Sequence, residues 1–234
     1  MKLTIGHTTH PGIKRDHNED TYGVNRPKHL FLVADGMGGH DHGEIASALA
    51  RDNILTGING GMDLESAIIN ANQEIINSSL EKPGDLPMGT TIIIVQLDGK
   101  KFQCAWVGDS RAYVYQKKSL QAISSDHSYV QELVDQKLIT AEQARSHPHR
   151  NVVTQALGVT DNSEIKVASQ SGDFKSGDKF LLCSDGLTEE VDDTTIEAIM
   201  AQDYHPKELA DQLLIKALEN GGSDNITVLV IRVD

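Results

Sequence analysis

Four aspartates stand at the ends of apolar, strand-like runs, and their positions suggest that they share one site. Asp35 and Asp185 each follow such a run, whereas Asp20 and Asp224 stand just before one. In an antiparallel sheet, the end of one strand lies beside the start of its neighbour. We therefore expect the four carboxylates to meet at one edge of a sheet.

Carboxylates gathered in this way need a counter-charge. Each close pair would cost roughly 4 kcal/mol at ~4 Å and an effective dielectric constant near 20. Oxygen ligands without a Cys or a His pair favour Mg²⁺ or Mn²⁺ over zinc. Gly36 lacks a side chain that would keep its carbonyl from a metal, and Gly38 and Gly39 permit a tight turn into a helix beginning near Gly43. The alternative is that each Asp-Gly pair only turns the chain.

The composition is that of a soluble globular domain with acidic character. The chain has 234 residues, 21 basic and 34 acidic side chains and a formal net charge of −13. This charge argues against a nucleic-acid or anionic-membrane partner. We see no membrane-spanning run and no signal peptide. Cys104 and Cys183 lie in separate apolar runs, which indicates buried free thiols and a cytoplasmic protein.

The order of elements predicts an α+β fold in a single domain over residues 1–234. Helical periodicity covers Gly43–Ile58, Asp63–Leu80 and Pro206–Glu219. Strand character is found in Leu3–Thr8, Thr21–Val24, Leu30–Ala34, Thr91–Leu97, Phe102–Val107, Ala112–Tyr115, Lys179–Ser184 and Ile226–Val233. Short connections favour antiparallel pairing, with a hairpin turn at Val107–Arg111. Two antiparallel sheets flanked by helices, a four-layer αββα sandwich, would bury these strands.

Seven short segments extend this pattern over nearly the whole chain. They are Arg15–Asp20, Val33–His40, Met88–Thr91, Val107–Arg111, Ser125–Ser128, Ser184–Gly186 and Ser223–Thr227. Together, in this order, they resemble the bacterial branch of the metal-dependent protein phosphatases of type 2C. The fold of that family is a pair of packed antiparallel sheets with helices outside.

The resemblance implies a set of metal ligands. Two Mn²⁺ or Mg²⁺ ions would be bridged by Asp35 and a water molecule. Further direct ligands would be Asp20, Asp185, Asp224 and the Gly36 carbonyl. Glu19 would act through bound water, and Asp126 with Asp185 would hold a third, weaker metal. A two-metal centre activates water for in-line attack on phosphorus.

The resemblance also implies residues that bind substrate. Arg15 would bind the phosphoryl oxygens through paired N–H donors, although its local sequence alone favours a surface ion pair. Met37 stands where eukaryotic relatives have a general-acid His. His40 would contact substrate or supply the proton, and the alternative is a structural or solvated role; a metal-bound water is another candidate for the acid. Residues 128–158 correspond to a flap that would select substrate; the alternative is a packed helical insertion. Asp109 and Arg111 are interpreted as structural residues of a turn.

The resulting hypothesis is a monomeric phosphatase for phosphoserine and phosphothreonine in proteins, acting against a bacterial serine/threonine kinase. One alternative is a partner-switching phosphatase whose substrate is an anti-anti-sigma-type regulator. Another is a non-catalytic, phosphatase-like binding module, which would be expected to lack some ligands. A metal-dependent nuclease is disfavoured by the acidic charge.

Overall fold

A computed structural model describes residues 1–38, 42–80 and 88–234. Within these residues the chain forms twelve strands and seven helices. The strands are β1 Leu3–His10, β2 Thr21–Asn25, β3 Leu30–Ala34, β4 Gly36–Met37, β5 Gly89–Thr90, β6 Ile92–Asp98, β7 Lys101–Val107, β8 Arg111–Gln116, β9 Ser119–Ala122, β10 Ala168–Asp173, β11 Lys179–Cys183 and β12 Ile226–Val233. The helices are α1 His42–Asn59, α2 Leu64–Leu80, α3 Tyr129–Asp135, α4 Ala141–Arg145, α5 Asp185–Thr188, α6 Asp193–Met200 and α7 Pro206–Asn220.

Two five-stranded antiparallel sheets form the centre of the molecule. The first has the order β1-β12-β11-β8-β9, and the second has the order β10-β7-β6-β3-β2. Apolar side chains between the sheets form one core, which includes Phe31, Val95 and Leu229. A second core lies between the second sheet and helices α1 and α2, and a third joins the first sheet to α5, α6 and α7. The predicted αββα sandwich is therefore confirmed.

The predicted hairpin at Val107–Arg111 is wrong. β7 ends at Val107 in the second sheet, whereas β8 begins at Arg111 in the first sheet. The segment between them crosses from one sheet to the other, and Gly108 takes a φ of 104° there. A Cβ at Gly108 would also lie 2.6 Å from the side chain of Thr91, so the crossing requires glycine.

The segment that the sequence predicts as a flap contains the short helices α3 and α4. Ser128 and Thr140 cap their N-termini through side-chain oxygens. An isolated antiparallel bridge joins Ser128 to Val153, and Leu157 pairs with Thr90. The first bridge holds the two ends of the segment together, and the second attaches its C-terminal end to β5. No helix among the described residues is long and apolar enough to cross a membrane.

Candidate metal centre

The register of the strands places the four predicted aspartates at the same end of the sandwich. Thr21 pairs with Ala34 in the second sheet, so Asp20 and Asp35 are adjacent. In the first sheet, Cys183 pairs with Val228, so Asp185 and Asp224 extend past the same end. The four aspartates come together because both pairs lie at corresponding ends of the two packed sheets.

Asp20 is the most deeply enclosed of these acids, with a relative exposure of 8%. Its Oδ2 accepts a 2.7 Å hydrogen bond from Ser184 Oγ. Its Oδ1 is buried and has no hydrogen-bond partner among the described residues. Burial raises the pKa of Asp20 to about 6, although the hydrogen bond from Ser184 acts in the opposite direction and lowers it. A buried carboxylate oxygen without a partner is costly, and a bound cation would relieve that cost.

Asp35 and Asp185 each lie among several other acids. Burial, followed by the charges of Asp20, Asp185 and Asp109, raises the pKa of Asp35 well above its usual range. Burial, followed by the charges of Asp109, Glu189 and Asp224, raises the pKa of Asp185 in the same way. The protein holds like charges together here, as the sequence predicts.

Asp109 also belongs to this group, although its sequence context led to a structural interpretation. It is 8% exposed, and burial followed by the charge of Asp126 raises its pKa to about 7. The signal was present in the sequence, because Val107-Gly108-Asp109 also places an acid beyond an apolar strand. A hairpin within one sheet would keep Asp109 in a turn, whereas the crossing between the sheets places it among the other acids.

Asp224 and Arg15 form an ion pair at the edge of the group. Arg15 Nη2 lies 2.6 Å from Asp224 Oδ2, and their side chains are 55% and 29% exposed. The hydrogen bond and charge of Asp224 raise the pKa of Arg15. Arg15 is thus a partly exposed cation beside the buried acids. It forms the ion pair that its local sequence favours, and it lies next to the site where the resemblance places it.

Asn225 orders the loop that contains Arg15 and Asp20, and sequence reasoning missed this role. Its Nδ2 donates to the carbonyls of Pro11 and His17 at 2.9 and 2.8 Å. Its Oδ1 accepts from the backbone N–H of Glu19 at 2.7 Å. Nothing in the sequence links Asn225 to residues 11–19, because the contact depends on β1 pairing with β12.

Close backbone packing fixes Glu19 and Gly36 beside the start of α1. The Gly36 N–H donates to the Glu19 carbonyl at 3.2 Å, and Ser47 Oγ donates to the same carbonyl at 2.6 Å. A Cβ at Gly36 would lie 2.1 Å from the Gly43 carbonyl oxygen, so only glycine fits. The Glu19 carboxyl lies against Gly43, which places it at the edge of the same site.

Asp126 is held by Arg111 rather than by the other acids. Arg111 donates to Asp126 Oδ1 and Oδ2 at 2.8 and 2.6 Å, a bidentate geometry that is typical of strong pairs. Both residues line a cavity of about 510 Å³ that also contacts Asp109, Asp185 and flap residues. Asp126 therefore lies at the border between the acids and the flap. His40 and Gly39 lie outside the described residues, and Met37 lies in β4, paired with Gly89.

The donor set suits hard divalent cations. In the arrangement that the structure shows, no three His, Cys, Asp or Glu side chains among the described residues could hold a metal ion. Oxygen-only donors, an unpartnered oxygen on Asp20 and the raised pKa values fit Mn²⁺ or Mg²⁺, whose binding would displace protons from these carboxyls.

Comparisons with known proteins agree with this site. The sequence model of a family described as protein phosphatase 2C matches residues 13–219. The serine/threonine phosphatase stp of Listeria monocytogenes serotype 4b is 37% identical over 241 residues, covering 97% of this chain and 94% of the relative.

Solved structures give the same result. The Mycobacterium tuberculosis serine/threonine phosphatase PstP/Ppp matches with a TM-score of 0.91 and 34% identity, over 99% of each chain. The catalytic domain of PstP in complex with two manganese ions matches with a TM-score of 0.87 and 32% identity, again over 99% of each chain. The clustered acids, the two packed sheets and these matches together show that the chain belongs to the protein phosphatase 2C family.

Proposed function

We propose that the protein is a metal-dependent protein serine/threonine phosphatase that hydrolyses phosphoserine and phosphothreonine with a metal-activated water. The observation that supports this most directly is the group of buried acids with an unpartnered carboxylate oxygen on Asp20. A non-catalytic relative would not need to retain this arrangement, because clustered carboxylates destabilise the fold when no cation is bound. The relatives named as serine/threonine phosphatases support the same reaction class.

Asp20, Asp35, Asp185 and Asp224, with the Gly36 carbonyl, are the proposed direct ligands of two Mn²⁺ or Mg²⁺ ions. Glu19 is proposed to act through water. When bound, such a pair of ions supplies a hydroxide nucleophile at neutral pH and stabilises charge on the phosphoryl oxygens. Asp126 remains a proposed contact to a third, weaker ion, and its bidentate pair with Arg111 means that ion must compete with a guanidinium.

Arg15 is proposed to orient the phosphoryl group. A guanidinium has five N–H donors, and among the described residues only its Nη2 donor is engaged, with Asp224. The remaining donors are available to oxygens of a phosphate bound beside the acids. Its position at the exposed edge of the site also leaves room for a protein substrate. His40 stays a candidate substrate contact from the sequence alone.

The biological setting that we propose follows from this chemistry. A phosphatase for seryl and threonyl esters requires a kinase that forms them, so a cognate bacterial serine/threonine kinase is the expected counterpart. Cys104 and Cys183 are buried, unpaired and in different cores, and this supports a cytoplasmic location, where thiols stay reduced. We expect a monomer, which size-exclusion chromatography with light scattering would test.

The function can be tested by phosphate release from a phosphothreonine peptide and from p-nitrophenyl phosphate. We expect turnover with millimolar Mn²⁺ or Mg²⁺ and none after treatment with EDTA, with recovery when the metal is restored. The unphosphorylated peptide serves as the blank. Turnover that persists in EDTA, or no turnover with either metal, would refute the proposal.

A further inference from the structure

A second cavity, of about 640 Å³, opens at the side of the sandwich, and none of the acids of the metal centre lines it. It lies between β1 and β2, which are edge strands of different sheets, and beside the C-terminal end of α1. Its volume is within the range of about 300–1,000 Å³ that is typical of small-molecule sites. The two sheet edges and the helix therefore form a pocket that the proposed phosphatase reaction does not use.

Apolar and aromatic side chains form part of the cavity wall. Ile5 and Val24 lie at the rim of the core between the sheets and are only partly buried, and Leu55 approaches from α1. The rings of His7 and Tyr22 stand with centroids 4.3 Å apart and planes tilted by 33°. Together these side chains offer a surface on which a planar ring can lie.

Two polar side chains of the cavity, Arg26 and Asn59, keep N–H donors available. Arg26 is exposed and makes no ion pair with any described residue. Asn59 Oδ1 accepts from Asn25 Nδ2 at 2.8 Å, so the Asn59 amide keeps both N–H donors available within the described part of the chain. No Asp or Glu lines the cavity, although the chain has a net charge of −13. The lining is thus complementary to a negative group.

We propose that this cavity binds an organic anion with a planar aromatic ring system. The anionic group lies against the Arg26 guanidinium and the Asn59 amide, where charge-assisted hydrogen bonds are strongest. The ring lies on His7 and Tyr22. This site is independent of the metal centre, because the two share no lining residue.

The test uses 8-anilino-1-naphthalenesulfonate, an anion with a planar naphthalene ring system and a sulfonate that a phosphatase does not hydrolyse. Titration of the magnesium-loaded protein should give saturable fluorescence with one dominant site, and NMR of the same diamagnetic form should show shifts at the ring protons of His7 and Tyr22. Arg26→Gln should weaken binding about tenfold or more, since it removes the charge from the proposed contact. Arg26→Lys should retain part of the affinity.

Two controls make the outcome decisive. Lys28→Gln removes the same charge from an exposed neighbour that does not line the cavity, and it should leave the affinity unchanged. N-phenyl-1-naphthylamine, the same ring system without the sulfonate, should bind at least tenfold more weakly. Phosphatase activity of all variants should equal that of the parent, which verifies folding. Any of three results would overturn the proposal. Arg26→Gln binds the sulfonate as tightly as the parent does, Lys28→Gln loses as much affinity as Arg26→Gln does, or the neutral compound binds the parent as tightly as the sulfonate does.

Discussion

At the residue scale, Asp35 is an acid with several neighbours of its own charge. Burial and the charges of Asp20, Asp185 and Asp109 act on it together. Removing its charge therefore relieves repulsion in the metal-free protein, while it deletes the ligand proposed to bridge two cations. Stability and activity should change in opposite directions, which separates a functional group from a structural one.

We predict that Asp35→Asn lowers phosphatase turnover on the order of a hundredfold to a thousandfold and does not lower the melting temperature of the metal-free protein. Asp173→Asn, at an exposed position at the end of β10, is the matched control and should retain full turnover. Steady-state assays with p-nitrophenyl phosphate and calorimetry in EDTA measure both quantities. Full turnover by Asp35→Asn would exclude the proposed bridging role.

Asn225 offers a second test at this scale, because it connects β12 to the loop of residues 11–19. Asn225→Ala removes three hydrogen bonds, those to the carbonyls of Pro11 and His17 and from the Glu19 N–H. We expect a loss of about 2–3 kcal/mol in unfolding free energy. Turnover per folded molecule should fall tenfold or more, because Arg15 and Asp20 lose their positions.

Asn72→Ala is the control for Asn225→Ala. Asn72 is also fully buried and makes similar hydrogen bonds, to the Thr160 carbonyl and the Gly158 N–H, but it lies on α2, outside the acidic group. Urea denaturation should show a comparable destabilisation, whereas its turnover per folded molecule should stay near that of the parent. Equal turnover in the two variants would mean that Asn225 acts only on stability.

At the scale of elements, the sequence was sufficient wherever the hydrophobic pattern was strong. β3 and β12 have the predicted bounds, and α2 and α7 differ from prediction by one residue. β10 has no strand signal in the sequence, because ASQSGD is polar and mostly exposed at a sheet edge. It therefore lacks the alternation of apolar and polar residues that identifies a half-buried strand. The connection between β7 and β8 was misassigned because turn residues do not reveal which sheet the next strand joins.

The residues of the candidate site differ in how far the sequence predicts them. The strand ends and antiparallel pairing place Asp20 beside Asp35 in one sheet and Asp185 near Asp224 in the other. The prediction that all four meet at the edge of a single sheet is wrong, because the packing of the two sheets brings the two pairs together. Asp109 and Asn225 depend on how the two sheets pack and on which strand neighbours β1. Those contacts are long-range, and no local pattern in the sequence encodes them.

The segment that the sequence predicts as a flap, residues 128–158, can be tested as a unit. The Tyr129 N–H donates to the Val152 carbonyl at 2.9 Å, so the two ends of the intervening segment already lie side by side. We predict that replacing residues 130–151 by two glycines keeps metal-dependent turnover of p-nitrophenyl phosphate within about threefold. The kcat/KM for a phosphothreonine peptide should fall at least tenfold, because the flap residues Arg145 and Arg150 line the cavity beside Asp185.

The control for this deletion is the double variant Arg145→Gln and Arg150→Gln, which keeps the flap and removes two of its charges. It should reproduce part of the loss for the peptide and none for the small substrate. Stopped assays with both substrates at several concentrations separate KM from kcat. If the deletion variant hydrolyses the peptide as well as the parent does, the segment is a packed insertion without a role in substrate selection.

At the scale of the whole molecule, the acidic group makes stability depend on both pH and metal. The pKa values of Asp20 and Asp109 are raised to about 6 and about 7 in the folded state, against about 3.9 in an unfolded chain. The metal-free folded state therefore binds more protons than the unfolded state between pH 4 and 7. The stability that these groups contribute is fully present below pH 4 and is lost as the pH rises through 6 and 7.

We predict that, in EDTA, the acidic group lowers the melting temperature by about 5–10 °C between pH 4 and 7. Other groups titrate in this range, including His7 and His127, whose lowered pKa values act in the opposite direction. The quantity to measure is therefore the difference between the parent and Asp109→Asn, which cannot titrate at this position. Their melting temperatures should diverge as the pH rises, with the variant becoming the more stable protein.

Saturating Mn²⁺ should reverse this trend, because a cation binds the ionised carboxylates and so stabilises the folded state more as the pH rises. In the parent, the increase in melting temperature caused by Mn²⁺ should be larger at pH 7 than at pH 5. Asp173→Asn should match the parent in both series, since its carboxylate lies outside the group. Two results would contradict this prediction. One is an increase in melting temperature with Mn²⁺ that does not depend on pH. The other is a constant difference in melting temperature between the parent and Asp109→Asn across the pH range.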